Sequence, residues 1–99
     1  MEKRNYKRKP VSLNAELISD GINYPGFIES ISEDGFHIIA ASKKSVTSFI
    51  PEATIKLKLQ SSLGGKINLH CEVRWVHINK TPIHGLMYRM GMEIIEKPQ

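Results

Sequence analysis

The sequence has few of the features that mark secreted or membrane-spanning proteins. It contains one cysteine, Cys71, so no disulfide can form within the chain. One thiol, no CxxC pair and no secretory signal pattern lead us to expect a cytoplasmic protein. No apolar run approaches the roughly 20 residues that a membrane-spanning helix needs. We therefore expect a single small domain without a membrane span.

Catalytic and metal-binding patterns are also missing. The four histidines are scattered, with no HxxH or HExxH spacing. His70 and Cys71 are neighbours on a predicted strand, so their side chains should point to opposite faces and cannot easily share a metal. Cys71 falls on the apolar side of that strand and is predicted to be a buried structural thiol. No P-loop or GxGxxG pattern occurs. We expect no enzymatic activity, no catalytic residue, no metal and no cofactor.

The positive charge is confined to the N-terminus. Residues 1–10 hold five basic side chains and one acidic side chain, whereas residues 11–99 hold nine of each. The chain is therefore predicted to have a neutral body with a cationic arm that seeks anions. A small barrel that binds single-stranded nucleic acid remains an alternative. The neutral body and the lack of an exposed aromatic row among seven aromatic residues argue against it.

Apolar and polar residues alternate in most of the chain, which is typical of half-buried β-strands. The alternation and the turn residues predict six strands over residues 11–17, 27–31, 36–40, 54–60, 67–75 and 86–94. Residues 41–52 are predicted to be a loop with at most one turn of helix, and residues 78–85 a turn. Asp20–Gly21 and Asp34–Gly35 are turn signals, and Gly35 is expected to adopt a positive φ.

Six sequential strands with short connections predict an all-β antiparallel fold, closed as a barrel or packed as a sandwich. We expect residues 1–10 to be a flexible arm and residues 11–96 to form the barrel, with little or no C-terminal helix. Trp75, which ends the alternating apolar positions of the fifth strand, is predicted to lie in the core. The alternative is an aromatic residue at the rim of the barrel that contacts a ligand or a partner.

Two short patterns suggest a binding site. Arg4 and Arg8 are four residues apart in the basic arm, and a guanidinium pairs bidentately with phosphate and matches the acceptors of guanine. Ser30 and Ser32 lie two apart at a strand end, and their hydroxyls would form a polar ledge with the backbone of a turn at Gly35. Taken singly, the first pattern is also compatible with a solvated tail and the second with a hairpin turn.

Taken together, and in this order along the chain, the two patterns resemble the signature of the PilZ domain family, which is RxxxR followed by (D/N)xSxxG. Arg4, Arg8, Ser32 and Gly35 match this signature, and the stretches EVRWV and YRMGMEI are similar to the later strands of the family. One departure is Ser30, which stands where the family has Asp or Asn. The resemblance covers nearly the whole chain and implies a six-stranded PilZ-like barrel.

The resemblance also implies a function. PilZ domains are receptors for the bacterial second messenger cyclic di-GMP (c-di-GMP), so this chain would bind c-di-GMP and order its arm to switch a protein partner. Arg4 and Arg8 would hold the ligand above Ser30, Ser32 and Gly35, with Lys7 and Asp34 as auxiliary residues. The alternative is a degenerate PilZ domain that acts as a protein-interaction adaptor without nucleotide, as the shorter side chain of Ser30 suggests.

Overall fold

The fold consists of six β-strands. The computed structural model describes residues 9–60 and 64–96, and its strands are β1 Lys9–Ser19, β2 Ile22–Ile31, β3 Gly35–Ser42, β4 Thr54–Gln60, β5 Lys66–Thr81 and β6 Gly85–Glu96. No helix occurs in these two ranges. The prediction of an all-β fold with six strands is thus confirmed.

All the strand pairs are antiparallel, and the sheet closes on itself in the order β1-β2-β3-β6-β5-β4. Pairing of β1 with β4, over Ala15–Ile18 on the first strand, completes the ring. Closure leaves no edge strand along the paired part of the barrel, which protects it from edge-to-edge association. The predicted closed barrel is therefore confirmed over the sandwich.

The first hairpin turns at Asp20 and Gly21, as the sequence predicts. Their φ angles are 52° and 76°, and two consecutive positive φ angles define the tight turn that matches the twist of the flanking strands. Because this turn leaves only two residues between β1 and β2, pairing continues to Ser19 and Ile22. The second strand is consequently longer than the predicted residues 27–31.

The core is one cluster of side chains inside the ring. Each strand contributes to it, for example through Leu17, Ile28, Ile38, Ile55, Val73 and Met90, none of which is more than 1% exposed. Full burial of an aliphatic side chain of this size contributes about 1.5–3 kcal/mol. Cys71 is also fully buried, and desolvation raises the pKa of its thiol to about 12. This confirms the prediction of a structural thiol.

The loop between β3 and β4 packs into the end of the barrel where those strands end and begin. Phe49 is 1% exposed, and its ring meets those of Tyr24 and Tyr88 edge-on at centroid distances of 5.1 Å. The backbone N–H of Val46 donates to the Tyr88 hydroxyl at 2.8 Å. The predicted loop is present, with turns and bends rather than a turn of helix, and it supplies part of the core.

The fifth strand continues beyond its predicted end. Backbone pairing between β5 and β6 runs on to Thr81 and Gly85, so the predicted turn at residues 78–85 is reduced to residues 82–84. Gly85 has a φ of 78° and allows this tight reversal. Because this stretch is rich in polar residues, apolar alternation does not reveal it as a strand. Its backbone nevertheless continues the pairing with β6.

The prediction that Trp75 lies in the core is wrong. The pairing register shifts between Val73 and Trp75, so that Arg74 forms a bulge. A bulge adds one residue to a strand and reverses the faces of the residues that follow it. Val73 and Val76 therefore pack with the core, whereas the half-buried Trp75 lies on the outer face.

The contact between Val46 and Tyr88 yields a stability prediction. Tyr88→Phe removes the acceptor and leaves a buried N–H without a partner, so we expect the free energy of unfolding to fall by about 1–3 kcal/mol. Urea unfolding and hydrogen exchange at the Val46 amide would measure the loss. Tyr24→Phe, which keeps its ring against Phe49, serves as the matched control. Equal stability of Tyr88→Phe and the wild type would contradict the assigned role.

Candidate functional site

A row of backbone-paired residues crosses the outer face of the barrel near the end where β2 ends and β3 begins. Directly opposed residues of antiparallel strands point to the same side of the sheet. Successive pairings join Ser30 to His37, His37 to Gly91, and Gly91 to Trp75. We call these four residues the outer row. It brings the predicted site residue Ser30 onto the same face as the half-buried indole of Trp75.

Trp75 lies directly over Gly91. A Cβ at position 91 would come within 2.1 Å of the Trp75 Nε1 atom, so only glycine leaves room for the indole. The ring of His37 meets the indole edge-on at 5.1 Å, and that of His77 does so at 5.5 Å. The three rings form a cluster on the outer face that offers flat aromatic surfaces to a ligand.

The predicted turn between β2 and β3 borders this cluster. The Ser32 hydroxyl donates to the Asp34 carboxylate at 3.0 Å, and the Ser32 N–H donates to the Gly35 carbonyl at 2.8 Å. Asp34 and Gly35 line the same shallow groove as Trp75. The turn therefore lies beside the outer row, and the Ser32 hydroxyl is engaged within the turn.

The expected positive φ at Gly35 is wrong. The positive-φ glycines of the described residues are Gly21, Gly64 and Gly85. Glycine is required at position 35 for another reason, since a Cβ there would lie 2.0 Å from the Met92 carbonyl oxygen. The motif glycine thus allows β3 to approach β6 closely, which is a tertiary constraint rather than a property of the turn.

The arm residues of the predicted site, Arg4, Lys7 and Arg8, lie outside the described residues. The strand that follows them shows where the chain after the arm enters the barrel. β1 begins at Lys9, which is paired with Ile31, and Pro10 is paired with Ser30. Two residues assigned to the arm by the prediction therefore belong to the first strand, and they place the start of that strand beside the second motif.

One exposed ion pair adjoins the cluster of rings. Glu29 lies at a bulge in β2 and accepts two hydrogen bonds from Arg89, at 2.8 Å to Nε and 3.2 Å to an Nη atom. These bonds hold the pKa of the Glu29 carboxyl below its usual range, although burial acts in the opposite direction. The same contact raises the pKa of the Arg89 guanidinium.

Arg89, His37, Trp75 and His77 line one groove. Sequence reasoning did not select any of these four as site residues. The feature of the sequence that could have revealed the outward position of Trp75 is Gly91, because an isolated glycine in a strand often marks a close approach of another group to the backbone. Within the described ranges, no group of three or more His, Cys, Asp or Glu side chains is placed to hold a metal ion. Flat rings beside a guanidinium suit a planar, anionic ligand.

The position of the Trp75 indole over Gly91 can be tested by adding one methyl group at residue 91. Gly91→Ala should displace the indole because of the clash at Nε1. Since the chain has one tryptophan, its fluorescence should shift to longer wavelength, and overpacking should lower the stability by about 1–3 kcal/mol. In a Trp75→Ala background the same methyl should be much less destabilising. Unchanged fluorescence of Gly91→Ala would contradict this geometry.

Solved structures resemble this fold at low sequence identity. The inhibitor of motility MotI/DgrA from Bacillus subtilis has a TM-score of 0.66 at 19% identity, covering 99% of this chain and 44% of that protein. MrkH, described as a c-di-GMP-dependent transcription regulatory factor, has a TM-score of 0.70 at 17% identity, covering 97% and 45%. This chain thus spans less than half the length of these two proteins.

The PilZ domain of YcgR from Escherichia coli, solved with c-di-GMP, has a TM-score of 0.68 at 10% identity, covering 96% of this chain and 79% of that one. No curated protein matches the sequence significantly. No helix in the described ranges is long and apolar enough to cross a membrane. The family model of the PilZ domain matches residues 2–99, and because this match covers nearly the whole chain, the protein belongs to the PilZ domain family.

Proposed function

We propose that this protein is a receptor for c-di-GMP that performs no chemistry on its ligand and needs no cofactor. Family membership supports this function, as does the likeness to a PilZ domain solved with c-di-GMP. The single observation that carries it is the pairing of Pro10 with Ser30 and of Lys9 with Ile31. This register places Lys9, the residue that follows the RxxxR segment in the sequence, beside the end of β2 that leads into the SxxG turn.

Arg8 immediately precedes Lys9 and is therefore joined to the barrel next to the end of β2. An arginine fork can pair with a phosphate or with the O6 and N7 acceptors of guanine. In the proposal Arg4 and Arg8 hold the ligand from the arm side, whereas Ser30, Ser32 and Gly35 lie beneath it. Lys7 adds positive charge, and Asp34 orients the Ser32 hydroxyl.

Trp75 is the second support of the proposed site. Its indole lies on the same outer row as Ser30 and is held above Gly91. A purine base can stack on such a ring, and base–aromatic stacking is worth about 1–3 kcal/mol per base. A ligand with two guanines and two phosphates offers one group for the indole and others for the arginines.

The proposed output is a change in the arm, taken as residues 1–8 because Lys9 and Pro10 belong to β1. An arm that becomes ordered over the ligand loses conformational entropy at that moment, and its new surface can recruit or release a protein partner. The barrel, which begins at Lys9, serves as the scaffold against which the arm closes. The ligand thus acts through differential binding to two states of the arm. We place this receptor in the bacterial cytoplasm, where it would meet both the messenger and its partner.

Titration calorimetry with c-di-GMP tests this function. The wild type should bind, Arg8→Ala should weaken the affinity by about 10- to 100-fold through loss of charged hydrogen bonds, and Trp75→Ala by about tenfold. Lys56→Ala, which removes an exposed cation from β4, is the charge-matched control and should leave binding nearly unchanged. A wild type that gives no heat at high ligand concentration would refute the receptor function.

A second candidate is a protein-interaction adaptor that binds no nucleotide. Ser30 stands where the family motif has Asp or Asn, and the Ser32 hydroxyl is already used within its turn. In this case Ser30→Asp or Ser30→Asn should create c-di-GMP binding that the wild type lacks. Ser30→Ala is the matched control. Tight binding by the wild type would exclude the adaptor function.

A further inference from the structure

Arg89 is a cation on the proposed ligand face that neither family motif contains. It lies on β6 opposite His77 of β5 and two residues before Gly91, which carries the indole of Trp75. Two residues along a strand correspond to about 7 Å, which a nucleotide base and its phosphate can span. The Arg89 side chain is 55% exposed, so the guanidinium is accessible from solvent.

The guanidinium of Arg89 is already occupied by a carboxylate. Glu29 meets it in a two-pronged contact, at 2.8 Å and 3.2 Å. The pair reaches from β2 to β6 across β3, because β3 lies between those strands in the ring. A phosphate presents the same two-oxygen edge to arginine as a carboxylate does. Glu29 therefore occupies the position on Arg89 that a phosphate oxygen pair would take.

We propose that Arg89 is a third anion-binding arginine of this site and that Glu29 competes with the ligand phosphate for it. This inference rests on the proposed function. In the unliganded protein Glu29 occupies the guanidinium, and a bound phosphate displaces the carboxylate toward solvent. Glu29 thus sets the affinity of the receptor by stabilising the empty state, while Arg89 discriminates in favour of phosphate-bearing ligands.

Two physical arguments favour the exchange of Glu29 for a phosphate on Arg89 over a purely structural role of the ion pair. β2 is paired with β3 over Gly26–Ile31 and β6 over Leu86–Glu93, so the ion pair is not needed to join them. Exposed ion pairs contribute little to stability because water and salt screen them. A weak pair of this kind can open without disturbing the barrel. A phosphate carries charge similar to that of the carboxylate and would gain contacts with the rings as well.

The experiment combines a double-mutant cycle with NMR. Glu29→Gln should tighten c-di-GMP binding by about two- to fivefold, the range expected from releasing one exposed ion pair. Arg89→Ala should weaken binding, and the gain from Glu29→Gln should vanish in the double variant, since only shared interactions couple. Glu16→Gln, which removes a negative charge on β1 beside Lys58, is the control for net charge and should change the affinity little.

The Arg89 Nε–H signal reports on the exchange directly. It should move on titration of the wild type with c-di-GMP, and inorganic pyrophosphate should move it at lower concentration in Glu29→Gln than in the wild type. If c-di-GMP shifts the Trp75 indole signal but not that of Arg89, the competition is refuted while the receptor function stands. If c-di-GMP shifts neither signal, but pyrophosphate moves Arg89 in Glu29→Gln, the receptor function fails and the anion site stands. Weaker binding by Glu29→Gln would also overturn the proposal.

Discussion

The pairing of β1 with β4 is the constraint on which the rest of the molecule depends. Four residues of β1, Ala15–Ile18, are paired with β4 and turn an open sheet into a ring. Closure gives every strand one inward and one outward face, so the core and the proposed ligand face are separated by the backbone itself. The same strand is paired with β2 back to Lys9, which sets where β1 begins. The described chain therefore starts beside the end of β2 that leads into the turn motif.

Within the ring, irregular pairing determines which side chains reach the outer face. One bulge lies at Glu29 and another at Arg74. Each adds a residue to its strand and shifts the alternation that follows. Glu29, at the first bulge, contacts Arg89 across β3, and the second bulge turns Trp75 outward over Gly91. A perfectly regular barrel would place the indole inside and leave the outer face without its largest ring.

The sequence predicted much of this architecture for local reasons. Alternation with a period of two follows directly from the pleat of a half-buried strand, which is why the six strands, the all-β class and the buried Cys71 were found. Asp20–Gly21 was found because its turn demands two positive φ angles. The ends of β2 and β5 were missed because polar residues can continue a backbone ladder without any change in hydrophobic pattern.

The motifs and the family were also present in the sequence, as the match of the PilZ family model over residues 2–99 shows. Arg4, Arg8 and Lys7 stay predictions, since they lie outside the described residues, whereas Ser30, Ser32, Asp34 and Gly35 now have defined surroundings. The role of Gly35 changed from a positive φ to a close approach to Met92. Neither that approach nor the ion pair between Glu29 and Arg89 leaves a mark in the local sequence.

The sequence by itself thus determined the strands, the tight turn at Asp20–Gly21, the charge of the arm and the family. Only the tertiary structure decided the faces and the neighbours: Trp75 outside, Glu29 against Arg89, and the start of β1 beside Ser30. The physical reason is that strand periodicity and turn geometry act over a few residues. Bulges, close approaches and the contact across β3 depend on how separate strands pair with one another, which the pattern within a single strand does not contain.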